Sequence, residues 1–238
     1  MISEHHFGIT IGGTHYQVIE HLLTNIRHEG TFVSLGLNHH KETENVLRKI
    51  QFSAIFNPIS SRYENEKHSV GTNLSINYSY LIKIPNHQAY LHEYLGIRTA
   101  WNAHMTFYDY WDESHVYWLN SYDIGIDTRI AYTGFERSRF YIDIHLPFLS
   151  MVSRPPKRFL YKEIDPSFSW FIGHFHNDLK LATIPRHLDL NTKLSYQLFI
   201  SGNLKPVVFW RFRYLRNKMD YSKEVRIINH TFGLNIWI

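Results

Sequence analysis

The stretch Arg226–Ile238, RIINHTFGLNIWI, decides the fold. Phe232, Leu234, Ile236 and Ile238 fall on one side of an extended chain; Asn229, Thr231, Gly233 and Asn235 fall on the other. A period of two with one greasy and one polar face is a strand. The same pattern recurs upstream at least eight times.

Working back from that strand, Val208, Trp210, Phe212 and Tyr214 alternate with Arg211 and Arg213, and Leu188 to Ile200 alternates with Asp189, Asn191, Lys193, Ser195 and Gln197. Phe140 to Phe148 alternates with Arg139, Tyr141, Asp143 and His145; Tyr122 to Tyr132 alternates with Asp123, Asp127 and Arg129. Leu95 to Phe107 opposes Arg98, Asn102 and His104, and shorter runs of the same kind cover Val33–Leu37, Ile50–Phe56 and Leu74–Ile82. Ser167–Thr183 is expected to be a strand of unclear register. Turn signals at Pro85-Asn86, Thr133-Gly134 and Gly202-Asn203 separate these runs. Ten strands follow, or eleven with His6–Val18, and closed single-chain barrels have even numbers, so 10–12 is the expected count. Residues 1–30 admit three readings: a lead-in, a luminal plug or a first strand. Val18, Leu22, Leu23 and Ile26 also have helical spacing, which offers a short helix over Val18–Arg27. Residues 31–238 form the barrel.

A soluble ligand-binding barrel alternates in the same way with its apolar face inward. Three features favour apolar-out. The strands reach the ~10 residues of a tilted membrane strand, where soluble strands average ~5–6. The polar faces carry compact, opposite charges (Arg98, Asp123, Asp127, Arg129, Asp143, Lys193, Arg211 and Arg213) suited to meeting one another. Aromatics gather near strand ends, at Tyr94, Tyr108, Tyr122, Tyr132, Phe140, Phe148 and Tyr214, as interfacial girdles do. The expected fold is therefore all-β: an antiparallel transmembrane β-barrel. Arg98, Asp123, Asp127, Arg129, Asp143, Arg211 and Arg213 should form a luminal polar network. Leu95, Ile97, Trp101, Ile124, Ile126, Ile144, Leu194, Leu198, Phe212 and Leu234 should face lipid.

Composition agrees. Aromatics make up 16% of the 238 residues, enough for two belts. No run approaches the ~18–20 apolar residues of a spanning helix, and a mean hydropathy of −0.31 excludes a helical membrane protein but not a barrel. With no cysteine there is no disulfide and no thiolate metal site. The net charge of +4 is dispersed, without the Lys/Arg cluster of a nucleic-acid binder. Met1 to His6 lacks the basic and apolar regions of a signal peptide, so the chain is expected to be a mature form with an added Met.

In these features residues 31–238 resemble a bacterial outer-membrane β-barrel. The richness in Asn, Lys, Tyr and Ile resembles proteins of the Bacteroidetes group. Ile238 stands where such barrels commonly end in Phe, with Trp237 beside it. The resemblance implies an outer-membrane location, membrane lipid as the surroundings and other outer-membrane proteins as partners.

Chemistry is sparse. Outer-membrane lipid hydrolases place a His-x-Ser pair on one strand, because residues two apart share a face. None of the seventeen histidines has Ser two residues on; His104 with Thr106 is the nearest pair. His174, His176 and Asp178 form a candidate metal cluster, but short His tracts at barrel rims are common, and no metal or cofactor is expected. Asp123 and Asp127 stand about 13–14 Å apart by strand rise, too far to share a proton or a substrate bond. The Gly12-Gly13 pair lacks the Gly-Lys-Ser/Thr of a phosphate loop. The expected function is a barrel with a filled polar lumen that serves as a structural or accessory subunit. A lipid-modifying hydrolase, a narrow pore or transporter and a soluble binding barrel are the alternatives.

Overall fold

A computed structural model describes residues 4–20, 27–61, 69–108, 115–135, 138–155, 173, 175–198, 205–218 and 224–237. Within them the chain forms β1 (Glu4–Glu20), β2 (Arg27–Glu42), β3 (Val46–Ser61), β4 (Ser69–Ile84), β5 (Leu91–Tyr108), β6 (His115–Phe135), β7 (Ser138–Ser153), β8 (Lys180–Thr183), β9 (His187–Leu198), β10 (Lys205–Asn217) and β11 (Val225–Trp237). Every pairing is antiparallel. β1 to β7 pair in sequence, β7 pairs β9, β9 pairs β10, β10 pairs β11, and β11 returns to β1. Ten strands close the wall.

The eleventh, β8, is part of the same wall. It pairs β7 from Leu149 to Val152, while β9 pairs β7 from Ser138 to His145. Between those two ladders, residues 146–148 of β7 stand against residues 184–190, so β8 and β9 follow one another along β7, interrupted by the turn at 184–186. A second irregularity adjoins it. Ile124 pairs with Leu149 and Gly125 with Pro147, leaving Phe148 as the extra residue. Proline suits that position because it has no N–H to offer a ladder. Gly125 is needed there: a Cβ would stand 2.5 Å from the Leu146 carbonyl oxygen and 2.5 Å from the Pro147 Cα.

Residues 1–30 contribute a strand. β1 carries the alternation from Glu4 to Glu20 and pairs on both sides, with Trp237 to Val225 and with Glu42 to Arg27. The helix expected over Val18–Arg27 is overturned in its described part. Val18 is buried in β1 between Ile227 and His28, because the parity of β1 outcompetes a helical spacing that rests on few residues. Of the strand expected over Ser167–Thr183, only Lys180–Thr183 is strand among the described residues; 176–178 is a turn, with Asp178 at a φ of 57°.

The two faces divide as a membrane barrel requires. Phe7, Ile9 and Ile11 on β1, Leu35 and Leu37 on β2, Ile76 on β4, Leu95 and Ile97 on β5, Ile124 and Ile126 on β6, and Phe232 and Leu234 on β11 are all exposed on the outer surface. Thr10, Asn38, Ser75, Asn77, Asn102, Asp123, Asp127 and Asn229 are buried inside. A soluble barrel needs the reverse. Ile144 and Leu198 are also exposed, while Leu194 and Phe212 are half-buried by neighbours, with Phe212 packed against Trp210 and His230. Trp101 has the outward phase but is partly covered. Its Nε1 donates to Asn120 Oδ1 at 2.8 Å, and it packs on a cluster of Ala103, Trp118 and Phe175. Phe175, ahead of β8, completes that cluster on the outer wall and accepts a hydrogen bond from Asn120 at its carbonyl. Tyr94, expected at an interfacial girdle, lies inside and donates its hydroxyl to Glu42 at 2.8 Å.

The two ends differ. The strand termini Glu42 and Val46, Ile84 and Leu91, Phe135 and Ser138, and Leu198 and Lys205 lie at one end, with Glu4 and Trp237 beside them; this is the turn end. The termini Glu20 and Arg27, Ser61 and Ser69, Tyr108 and His115, Ser153 and Lys180, and Asn217 and Val225 lie at the other, the loop end.

Candidate luminal site

Parity sends every second residue of ten strands into one narrow space, so the interior chemistry is set by which residue types hold that phase. At the loop end apolar residues stand among buried polar ones such as His28, Ser69, Thr106, Ser153 and Asn217. Tyr16 and Val18 of β1, Ile59 of β3, Tyr117 and Leu119 of β6, Val152 of β7, Ala182 of β8, Leu215 of β10, and Val225 and Ile227 of β11 pack into one buried cluster across the lumen. Beneath it the lumen is polar and charged.

Two bidentate pairs anchor that polar part. Arg213 donates to Asp189 through Nε at 2.7 Å and Nη2 at 2.6 Å. Arg129 donates to Asp143 through Nε at 2.7 Å and Nη2 at 3.0 Å. Both use the fork geometry that makes Arg–carboxylate pairs strong. Lys49 links two acids: its Nζ lies 3.1 Å from Asp143 Oδ1 and 2.8 Å from Asp127 Oδ2, the latter off the hydrogen-bond axis. Asp123 accepts from Asn102 at 2.7 Å and Ser121 at 2.8 Å, with His187 Nε2 at 3.4 Å. Hydroxyls and amides join across the wall elsewhere, as in Thr14 with Thr231 at 2.9 Å and Asn38 to Thr10 at 2.6 Å.

Of the seven residues read from sequence as a luminal network, all point inward, but only Arg129 and Asp143 form an ion pair with each other among the described residues. Asp123, Asp127 and Arg213 find partners outside that set. Arg98 and Arg211 have no carboxylate within 4.0 Å among the described residues. Lys49, Asp189, His187 and Lys193 lie outside that set of seven yet share the lumen with it. Each has the inward parity of its strand, so the signal was present; what parity cannot supply is which strands face one another across the lumen.

His104 and Thr106 are inward and buried, next to the apolar cluster. His176 contacts Asn120 at 3.1 Å and the Tyr122 hydroxyl at 3.0 Å on the outer wall, while His174 lies outside the described residues. At the turn end the lumen opens into a vestibule of about 70 Å³ bordered by His6, His40, Arg129, Lys193, Lys205 and Trp237. The Trp237 ring lies over Gly8, where a Cβ would come 2.7 Å from it, and 4.4 Å from the His40 ring.

No protein-family model and no curated protein sequence matches the chain. Solved structures do match in fold. The outer membrane protease OmpT from Escherichia coli aligns with a TM-score of 0.55 at 8% identity, over 99% of this chain and 95% of that one. Neisserial surface protein A aligns at 0.39 and 10% identity over 97% and 96%. The attachment invasion locus protein Ail of Yersinia pestis aligns at 0.34 and 11% over 99% of each. The OmpT alignment carries the comparison, and at this identity it speaks for fold alone. The chain is a closed ten-stranded β-barrel of the outer-membrane type, and its apolar outer belt agrees with an outer-membrane location.

Proposed function

We propose that the protein is a sealed outer-membrane barrel, a structural or accessory subunit whose work is done at its surfaces rather than by passage through its lumen. The observation that carries this reading is the apolar cluster from Tyr16 to Ile227 across the loop end of the lumen. Water and ions do not cross a packed apolar layer without paying desolvation, and ten strands leave little space once side chains enter. The reading also accounts for the luminal ion pairs, which brace the wall from inside. A lipid hydrolase fits less well: His104 is buried under the apolar layer, away from the interface where acyl esters lie.

The test is conductance. Detergent-purified protein reconstituted in a planar bilayer should show no steady open current. A stable open channel in the wild-type protein would overturn the reading. Phospholipid and lipid A hydrolysis that disappears in His104→Ala would overturn it from the other side. For the subunit role, solubilising the outer membrane in mild detergent and sizing the protein should give a species larger than the lone barrel; a lone barrel removes that part.

A further inference from the structure

Lys193 and Arg211 are direct register partners on β9 and β10, so two cations enter the lumen side by side. Both lie against one ring: Lys193 Nζ is 4.5 Å from the Phe209 ring centre and Arg211 Cζ 5.7 Å from it. Like charges directly opposite on paired strands destabilise a sheet. Asp143 stands opposite Lys193 on β7, but its carboxylate is held by Arg129 and Lys49, and among the described residues neither Lys193 nor Arg211 has a carboxylate within 4.0 Å.

The luminal acids are committed elsewhere. Asp143 is held by Arg129 and Lys49, Asp127 by Lys49, Asp189 by Arg213, and Asp123 by Asn102 and Ser121. A third cation, Arg98, borders the same space, and its buried Nε has no acceptor. The cavity that Arg98, Lys193 and Arg211 line measures about 50 Å³; Lys49, Arg213 and the acids Asp127, Asp143 and Asp189 line it too, so five cations face three carboxylates, and Ser75, Asn77 and Thr231 add hydroxyl and amide groups to its wall. With ~10–15 Å³ needed per water, that is space for about four waters or one small polyatomic ion. Water can satisfy N–H groups but brings no countercharge.

Access is one-sided. Lys193 also borders the turn-end vestibule, where Arg129, Arg139 and Lys205 outnumber the one carboxylate, Glu42, and His6 and His40 stand beside them. A basic approach concentrates anions, whereas the loop end is shut by the apolar cluster. We propose that the lumen holds a binding site for a small oxyanion of the phosphate or carboxylate class, between Lys193, Arg211 and Arg98, filled from the turn end. The site exists whether or not the barrel has a protein partner.

The experiment titrates inorganic phosphate, and separately acetate, into detergent-purified full-length protein at constant ionic strength set with chloride. Calorimetry reads affinity and thermal unfolding reads Tm. One or both oxyanions should bind saturably and raise Tm. Lys193→Met and Arg211→Met should each weaken the Kd about tenfold or more, the effect of losing one charge-assisted contact. Arg211→Lys keeps the charge and should retain binding within a few-fold. Without oxyanion, Lys193→Met should melt at or above the wild-type temperature, because it removes like-charge repulsion. If Arg211→Met does not fold, Lys193→Met and Arg211→Lys decide the matter. No saturable binding of either oxyanion, the same affinity in wild type and Lys193→Met, or a Tm rise that chloride reproduces would each overturn the site.

Discussion

Two zones of the lumen, the loop end and the charged middle, obey the same parity and have opposite chemistry. At the loop end, Tyr16, Leu119, Leu215 and Ile227 meet as a small apolar core. A few residues further along the same strands, Asp123 follows Leu119 and Arg213 precedes Leu215, and the interior becomes a lattice of ion pairs. The apolar end gains from burying side chains that would otherwise meet water. The charged middle gains only if each ion finds a partner, since an unpaired ion in a partly dry space costs several kcal/mol. One zone is a seal that tolerates loose geometry, and the other is a set of couplings that does not.

The sharpest way to break that contrast is Asp189→Ala. It strands Arg213 and should cost about 3–5 kcal/mol, read from unfolding in detergent. At the sealing end, Leu119→Ala should cost about 2–5 kcal/mol through its cavity, and with Tyr117→Ala it should bring current steps in a planar bilayer. If the leucine change costs clearly more than the aspartate change, the ion lattice is not a principal support. The outer belt gives a third measurement. Ile126→Arg, near the middle of β6 and exposed, should cost about 2–4 kcal/mol, whereas Leu198→Arg should cost only about 0–1 kcal/mol. Leu198, the last residue of β9, pairs with Ser138, the first of β7, so it sits near a rim rather than the midplane. Equal costs at the two sites would mean that the belt is not centred as described.

The smallest effect belongs to the loop-end surface. Glu224 bonds to Arg226, and that hydrogen bond holds its carboxyl below the usual glutamate range. A depressed folded value stabilises above the ordinary pKa of ~4.3 and loses that contribution as pH falls through the folded value. Solvent screening limits it to about 0–1 kcal/mol. Glu224→Gln should flatten the acid limb of the stability–pH curve by no more than that, and a larger change would mark a wider charge network at this end.

Legibility followed the strand period. Alternation gives the strand phase of the ten outward positions and of the seven luminal charges, while the exposure of the outward ones varies: Trp101, Leu194 and Phe212 are partly covered. Where alternation is locally broken, reading the sequence faltered. Phe148 shifts the phase of β7, so that Pro147 faces in on one side of the bulge and Ser150 on the other. Trp118 and Ala103 have outward parity yet are buried, because Phe175, ahead of β8, packs with them. No spacing rule marks a distant residue that covers the wall. The partners of the charges were equally hidden: Arg213 was expected to meet another member of the seven and meets Asp189 instead.

What the sequence by itself determined is therefore the face of each residue: side chains two apart point the same way, and the apolar set of each strand is confined to one parity. The all-β class, the membrane-facing belt and the charged interior follow from that local rule. Only the tertiary structure decided how many strands close the wall, that β8 and β9 share one place in it, which charges meet and which end is sealed. Those depend on register and on contacts across the lumen, between residues as far apart in sequence as Tyr16 and Ile227, which closure brings together and no local pattern encodes.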